Sequence, residues 1–140
     1  MSADDHKAVV RQWIEGWNDP EAPPEADYRA RGYVAHAPGV PVPLDSEGWT
    51  QFTAGFSQAF RGLRLTVEDI LAEGDMVAAR VSFRGTHTGE FQGIPPTNKE
   101  VAFTSIEIDR MEDGKVAEHW FELDLVGLLR QLGVPMGPEA

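Results

Sequence analysis

The sequence predicts an α+β protein in which a strongly twisted sheet wraps around helices to form a cone with an apolar interior. Three observations predict it. Apolar residues fall at helical spacing through the first sixty positions. From Leu63 to Leu123 they alternate, segment after segment, with the period of two that belongs to strands. At Asp124 the period changes back, so the chain closes with a short helix. Helices followed by a run of antiparallel strands define the class.

The totals fit a single domain over residues 1–140. A chain of this length buries about two-thirds of its unfolded surface in one core. The 41% hydrophobic and 25% charged residues are ordinary for a globular protein. A net charge of −11 argues against nucleic acid and anionic membrane as partners, since both need a basic face. It leaves small, apolar or aromatic ligands. Cysteine is absent, which excludes disulfides and thiolate metal sites and suits the cytoplasm. No apolar run approaches the length of a membrane span, and the N-terminus lacks a signal-peptide pattern.

Ser2 and Asp5 make a capping-box start. Val9, Val10, Trp13, Ile14 and Trp17 follow as one helical stripe, ended by Asn18-Asp19-Pro20. Such a stripe packs a core, and Trp17 at its end is also placed to reach a ligand. A short helix is expected over 26–30 and a short strand over 33–36. The proline-rich loop 37–43 is rigid because proline fixes φ. Asp45 or Ser46 caps a second helix carrying Trp49, Phe52, Phe56 and Phe60, closed by Gly62.

Strands then follow over 63–67, 76–88 and 101–111, with turns at Glu73-Gly74-Asp75 and Asp113-Gly114 and a long loop over 89–99. The last strand alternates Val116, Glu118, Trp120 and Glu122 with Ala117, His119, Phe121 and Leu123. Leu125, Leu128, Leu129 and Leu132 then form an amphipathic helix stopped by Gly133 and Pro135.

Asp124 sits at the junction, on the strand face of Trp120. It is either a helix N-cap, for which Asp is a favoured type, or an acid/base group at the end of a pocket. His119 has the opposite parity, so it faces away if Trp120 and Asp124 face inward. His36 and His87 each end a strand beside a Pro- or Gly-bearing loop, where binding residues gather. Each serves structure or a site. Arg80 in mid-strand is either buried, and then paired or bound to an anion, or one of several surface charges with Arg84 and Glu107. The histidines lack metal-ligand spacing, so no metal is expected.

The segments GTHTGEFQGIPPTNKEV (85–101) and DGKVAEHWFELDLVGLLRQLG (113–133), with YVAHAP at 33–38, closely resemble the SnoaL-like polyketide or ester cyclases. The resemblance implies the nuclear transport factor two-like cone, commonly dimeric. It also implies intramolecular aldol condensation without metal or cofactor, with the family's acid/base aspartate mapping onto Asp124. On that mapping His36 and His87 polarise carbonyls, and Trp17 and Trp120 stack on rings. Other superfamily activities leave two alternatives. One is an epoxide hydrolase or isomerase, with Asp124 activating water and Arg80 holding a second carboxylate. The other is a binding protein whose Asp124 is only a cap. A homodimer is expected on the open face of the sheet, because helices cover only one side.

Overall fold

The computed structural model describes residues 1–135. The chain begins with helix α1 (Ala3–Glu15), whose N-cap Ser2 accepts from the Asp5 amide while Asp5 reaches back to the Ser2 amide. The apolar stripe outlasts the α-helix: Gly16–Asn18 tightens into a 3-10 turn that carries Trp17. A second 3-10 turn, Glu25–Tyr28, stands where a short helix was expected. Strand β1 (Arg29–His36) follows directly and is longer than the sequence suggested.

Helix α2 (Ser46–Ala59) is capped by Asp45, whose carboxylate accepts from the Gly48 amide at 2.8 Å. It ends before Phe60, because Phe60 already belongs to β2 (Phe60–Glu73). Gly62 is inside that strand with φ of +65°, where the pairing with β3 slips between Arg61 and Arg64. A left-handed residue at such an irregularity is a role for glycine. Strands β3 (Met76–His87), β4 (Glu100–Glu112) and β5 (Lys115–Leu123) follow, and helix α3 (Leu125–Gln131) completes the fold.

The five strands form one sheet in the order β1-β5-β4-β3-β2. Four are antiparallel in succession, while β1 joins the far edge parallel to β5. Helix α1 packs on β2 and β3, and α2 packs on β1 and β2, so both helices lie over one face. That face is apolar: Val77, Ala79, Val81 and Phe83 of β3 are buried, as the alternation predicted. The opposite face is open, and Ile106 and Ile108 of β4 are 58% and 41% exposed on it.

The pairing of β4 with β5 slips once. Arg110 pairs with Glu118, but Met111 pairs with Val116, leaving Ala117 as an extra residue. This bulge lets Val116 and Ala117 both face the interior. Beyond it the buried positions of β5 are His119 and Phe121, while Glu118, Trp120 and Glu122 face outward. The parity expected for this strand holds, but its faces are the reverse of those needed to aim Trp120 and Asp124 inward.

Candidate active site in the aromatic cone

The helices and the covered face of the sheet enclose a narrow cavity, with about 60 Å³ of enclosed room and about 550 Å³ once the open space at its mouth is counted. Trp13, Ile14 and Trp17 form one wall, and Trp49, Phe52 and Phe56 of α2 form another. Leu63, Leu65, Phe83 and Phe121 supply the sheet side. Its polar groups are few: Glu25, Thr53, Glu107 and His119.

The register places three of the chain's titratable groups together. Asp109 and His119 are direct cross-strand partners, and Glu107 lies two pairs further along, on the same face, opposite Phe121. All three are buried. Asp109 Oδ1 meets His119 Nδ1 in a short hydrogen bond, and Glu107 Oε2 is 3.6 Å from the same nitrogen. Trp13 and Trp49 hold the imidazole edge-on, with ring centroids at 5.1 and 4.6 Å. With Nδ1 taken by Asp109, the free ring nitrogen is Nε2, on a ring that lines the cavity.

Burial governs the protonation of this group. Glu107 is raised well above the ordinary carboxyl range by burial and then by the Asp109 charge. Asp109 is pushed up to about 7 by burial, opposed by the Glu107 carboxyl beside it. His119 is lowered, chiefly by burial, against the pull of the Glu107 charge. At neutral pH burial holds Glu107 protonated and His119 neutral, and Asp109 Oδ1 accepts from His119 Nδ1, while Glu107 Oε2 and Asp109 Oδ2 have no hydrogen-bond partner among the described residues. The Nε2 atom then carries a lone pair toward the cavity.

The same three side chains are a set that could hold a metal ion, with ligand atoms within 4.8 Å of one another. Spacing along the sequence gave no sign of it, because the donors come from two strands. Asp109 Oδ1 and His119 Nδ1 are hydrogen-bonded to each other, while Glu107 Oε2 and Asp109 Oδ2 have no partner among the described residues.

The profile of the SnoaL-like polyketide cyclases matches residues 7–132. This chain belongs to that family. The SnoaL-like chain is 29% identical over 135 residues to the aklanonic acid methyl ester cyclase AcmA of Streptomyces galilaeus, covering 91% of this chain and 90% of that one. It is 34% identical to the nogalonic acid methyl ester cyclase of Streptomyces nogalater over 88 residues, spanning 63% of this chain and 62% of that one. Among solved structures, AclR, a candidate hydroxylase from Streptomyces galilaeus, superposes with a TM-score of 0.87 at 32% identity. The match covers 99% of this chain and 91% of AclR.

Within this SnoaL-like fold, Trp17 is the one sequence-predicted site residue that lines the cavity. The others lie elsewhere. Asp124 is exposed and caps α3: its carboxylate accepts from the Gly127 amide at 2.9 Å, and its own amide donates to Thr104 O at 2.9 Å. A Cβ on residue 127 would come within 2.2 Å of Asp124 Oδ2, so glycine there is what lets the cap close. Of the two readings offered by the sequence, this geometry is the cap. The bulge is the physical reason that Asp124 and Trp120 point outward.

His36 and Trp120 do meet, but on the outer face. Their rings stack at 5.4 Å, and His36 Nε2 is 2.7 Å from Glu118 Oε2. Arg80 is also outside, paired with Asp69 at 2.6 Å, which settles its open alternative as a surface charge. Surface pairs of this kind contribute about 0–1 kcal/mol. His87 is fully buried away from the cavity. Its Nδ1 accepts from the Thr97 amide at 3.2 Å, so it pins the Pro95-Pro96 loop to the end of β3.

Glu107, Asp109 and His119 were missed as a group. A signal existed: Val101, Phe103 and Met111 share their parity, and apolar residues at both ends of a strand face mark that face as interior. The exposed isoleucines on the other face masked it.

Proposed function

We propose that this chain is a SnoaL-like cyclase that closes a ring in a polyketide-like or polycyclic substrate by intramolecular aldol condensation, with His119 as acid/base. The observation that carries the reading is the Asp109–His119 pair, buried against the wall of an apolar aromatic cavity with Nε2 free. The names of the curated relatives point the same way.

The steps balance without a further reactant. His119 Nε2 takes a proton from a carbon lying between two carbonyls, and Asp109 stabilises the imidazolium that forms. The enolate carbon attacks a ketone carbon of the same molecule, forming the C–C bond and moving the π electrons onto the ketone oxygen. The imidazolium then returns its proton to that alkoxide. Glu107, protonated and at the cavity wall, donates a hydrogen bond to a carbonyl oxygen as charge develops there. The aromatic walls fold the substrate so that its reacting carbons meet. No cofactor is required, and the cytoplasm is the compartment proposed on sequence grounds.

Aklanonic acid methyl ester is the natural first substrate to try, with a strong chelator present throughout. The expected product is an isomer of unchanged mass. A product heavier by one oxygen, or activity that returns only with a divalent ion, would overturn the cyclase reading in favour of oxygen insertion or metal chemistry.

We further propose a homodimer on the open face of the sheet. Ile108 pairs in register with Trp120 there, beside exposed Ile106. His36, Glu118 and Arg110 form a polar rim, with Arg110 Nη2 3.6 Å from Glu118 Oε1. An apolar centre with a polar rim is the usual anatomy of an interface. Sedimentation at micromolar concentration should give twice the 15.4 kDa chain mass, and Ile108→Glu should halve it. A parent species of 15.4 kDa excludes the dimer.

A further inference from the structure

The cavity holds a carboxyl group that the ring-closing chemistry does not use. Glu25 opens the 3-10 turn between α1 and β1, directly after Pro23-Pro24, and lines the same cavity as His119 and Glu107. Its charged neighbour is Arg29, which is buried. The guanidinium is fixed to α2 through Nη1 alone, donating to Ser46 O at 2.8 Å, Ser46 Oγ at 3.0 Å and Thr50 Oγ1 at 2.7 Å. It also lies 5.3 Å from the centre of the Tyr33 ring.

Held this way, Arg29 does not satisfy Glu25. Its Nη2 stops 3.5 Å from Glu25 Oε2, and neither Nη2 nor Nε has a hydrogen-bond partner among the described residues. Burial raises Glu25, and the Arg29 charge opposes that rise. The Glu25 side chain keeps 32% of its surface exposed, so solvent reaches it, and a ligand that covers it must supply donors in place of water. Among the other polar groups of the cavity, Glu107 and His119 are taken up by the ring-closing chemistry.

Resting on the ring-closing reading, we propose that Glu25 is a substrate-binding residue: it accepts a hydrogen bond from a hydroxyl group of the bound polycycle and so selects hydroxylated ligands over ones whose hydroxyls are masked. The Arg29 charge, with Nη2 3.5 Å from Oε2, opposes protonation of the carboxylate. A hydrogen bond to a charged group is worth about 1.5–3 kcal/mol, roughly a 10- to 100-fold preference.

The probes are 2,6-dihydroxyanthraquinone, whose hydroxyls lie out of reach of the ring carbonyls, and its dimethyl ether, read by quenching of the tryptophans at the cavity wall. The parent should bind the dihydroxy compound about tenfold or more tightly. Glu25→Leu should bring the two affinities within about twofold, mainly by weakening the dihydroxy probe. Because Glu25→Leu leaves Arg29 buried without a counter-charge, the double variant Glu25→Leu/Arg29→Leu is measured beside it and should lose the preference equally. Equal affinities in the parent, no binding of either probe, or a preference that survives in both variants overturns the proposal. His119→Gln should keep the preference. Failure of the ring-closing reading therefore appears as turnover without His119, and failure of the Glu25 assignment as a preference without Glu25.

Discussion

Replacing His119 by glutamine is expected to lower turnover by about two to four orders of magnitude, the range that a positioned acid/base group supplies. The fold should survive. Glutamine can still donate to Asp109 and fills much of the space between Trp13 and Trp49, so the melting temperature should stay close to the parent's. What it lacks is a nitrogen that takes and returns a proton. Asp124→Asn is the paired control. Asn and Asp are nearly equal as helix caps, and Asp124 is exposed on the far side of the sheet from the cavity. That variant should keep both turnover and stability. Turnover by His119→Gln within threefold of the parent would sink the assignment, and loss of turnover in Asp124→Asn would return the acid/base role to the helix cap.

The second large effect is on stability. Asp109 has a reference value of 3.8 and is pushed up to about 7 in the folded chain by burial. Between those values the folded chain holds a proton that the unfolded chain has released. Its stabilising contribution is therefore complete below pH 3.8 and is lost as pH rises through 7. Glu107 and Glu25, also raised by burial, act in the same direction. His119 is lowered from 6.5 and acts oppositely, but only below that reference value. Above pH 6.5 the carboxyl groups alone set the sign, and stability should fall with rising pH.

The displacement of Asp109 is worth about 4 kcal/mol across its whole window. Asp109→Asn removes the buried charge while keeping an acceptor for His119 Nδ1 and a donor for Glu107. It should melt roughly 5–10 °C above the parent at pH 8, with the gap closing toward pH 4. Its turnover should drop, since the imidazolium loses its counter-charge. Parallel melting curves for parent and variant across that range would show that Asp109 does not carry the strain assigned to it.

Much of the fold was legible because it is written locally. The Ser2–Asp5 and Asp45 caps, the Trp13 stripe, the Asp113-Gly114 turn and the alternation in β3 all depend on residues a few positions apart. The parallel placement of β1 beside β5 was not legible, because nothing within residues 29–36 specifies a partner more than eighty positions away. The site was misread for a sharper reason. Acids inside and isoleucines outside invert the usual cost of burial, so Glu107 reads as a surface charge unless the faces of β4 are assigned from Phe103 and Met111. The inward direction of His119 rests on the extra residue at Ala117, which alternation counting treats as one more regular step.

That extra residue is also a lever. Side chains beyond the bulge reach the interior according to whether an even or an odd number of backbone steps separates them from the Asp113-Gly114 turn. Deleting Ala117 would remove the bulge yet leave Asp109 paired with His119 and Glu107 with Phe121, so the inward residues would stay the same. Straightening the bulge with its residue kept would instead offer the cavity Glu118 and Trp120, so one irregular backbone step selects the reactive inventory of the cone. Comparing relatives column by column, without counting bulges, would match residues that stand on opposite sides of the sheet.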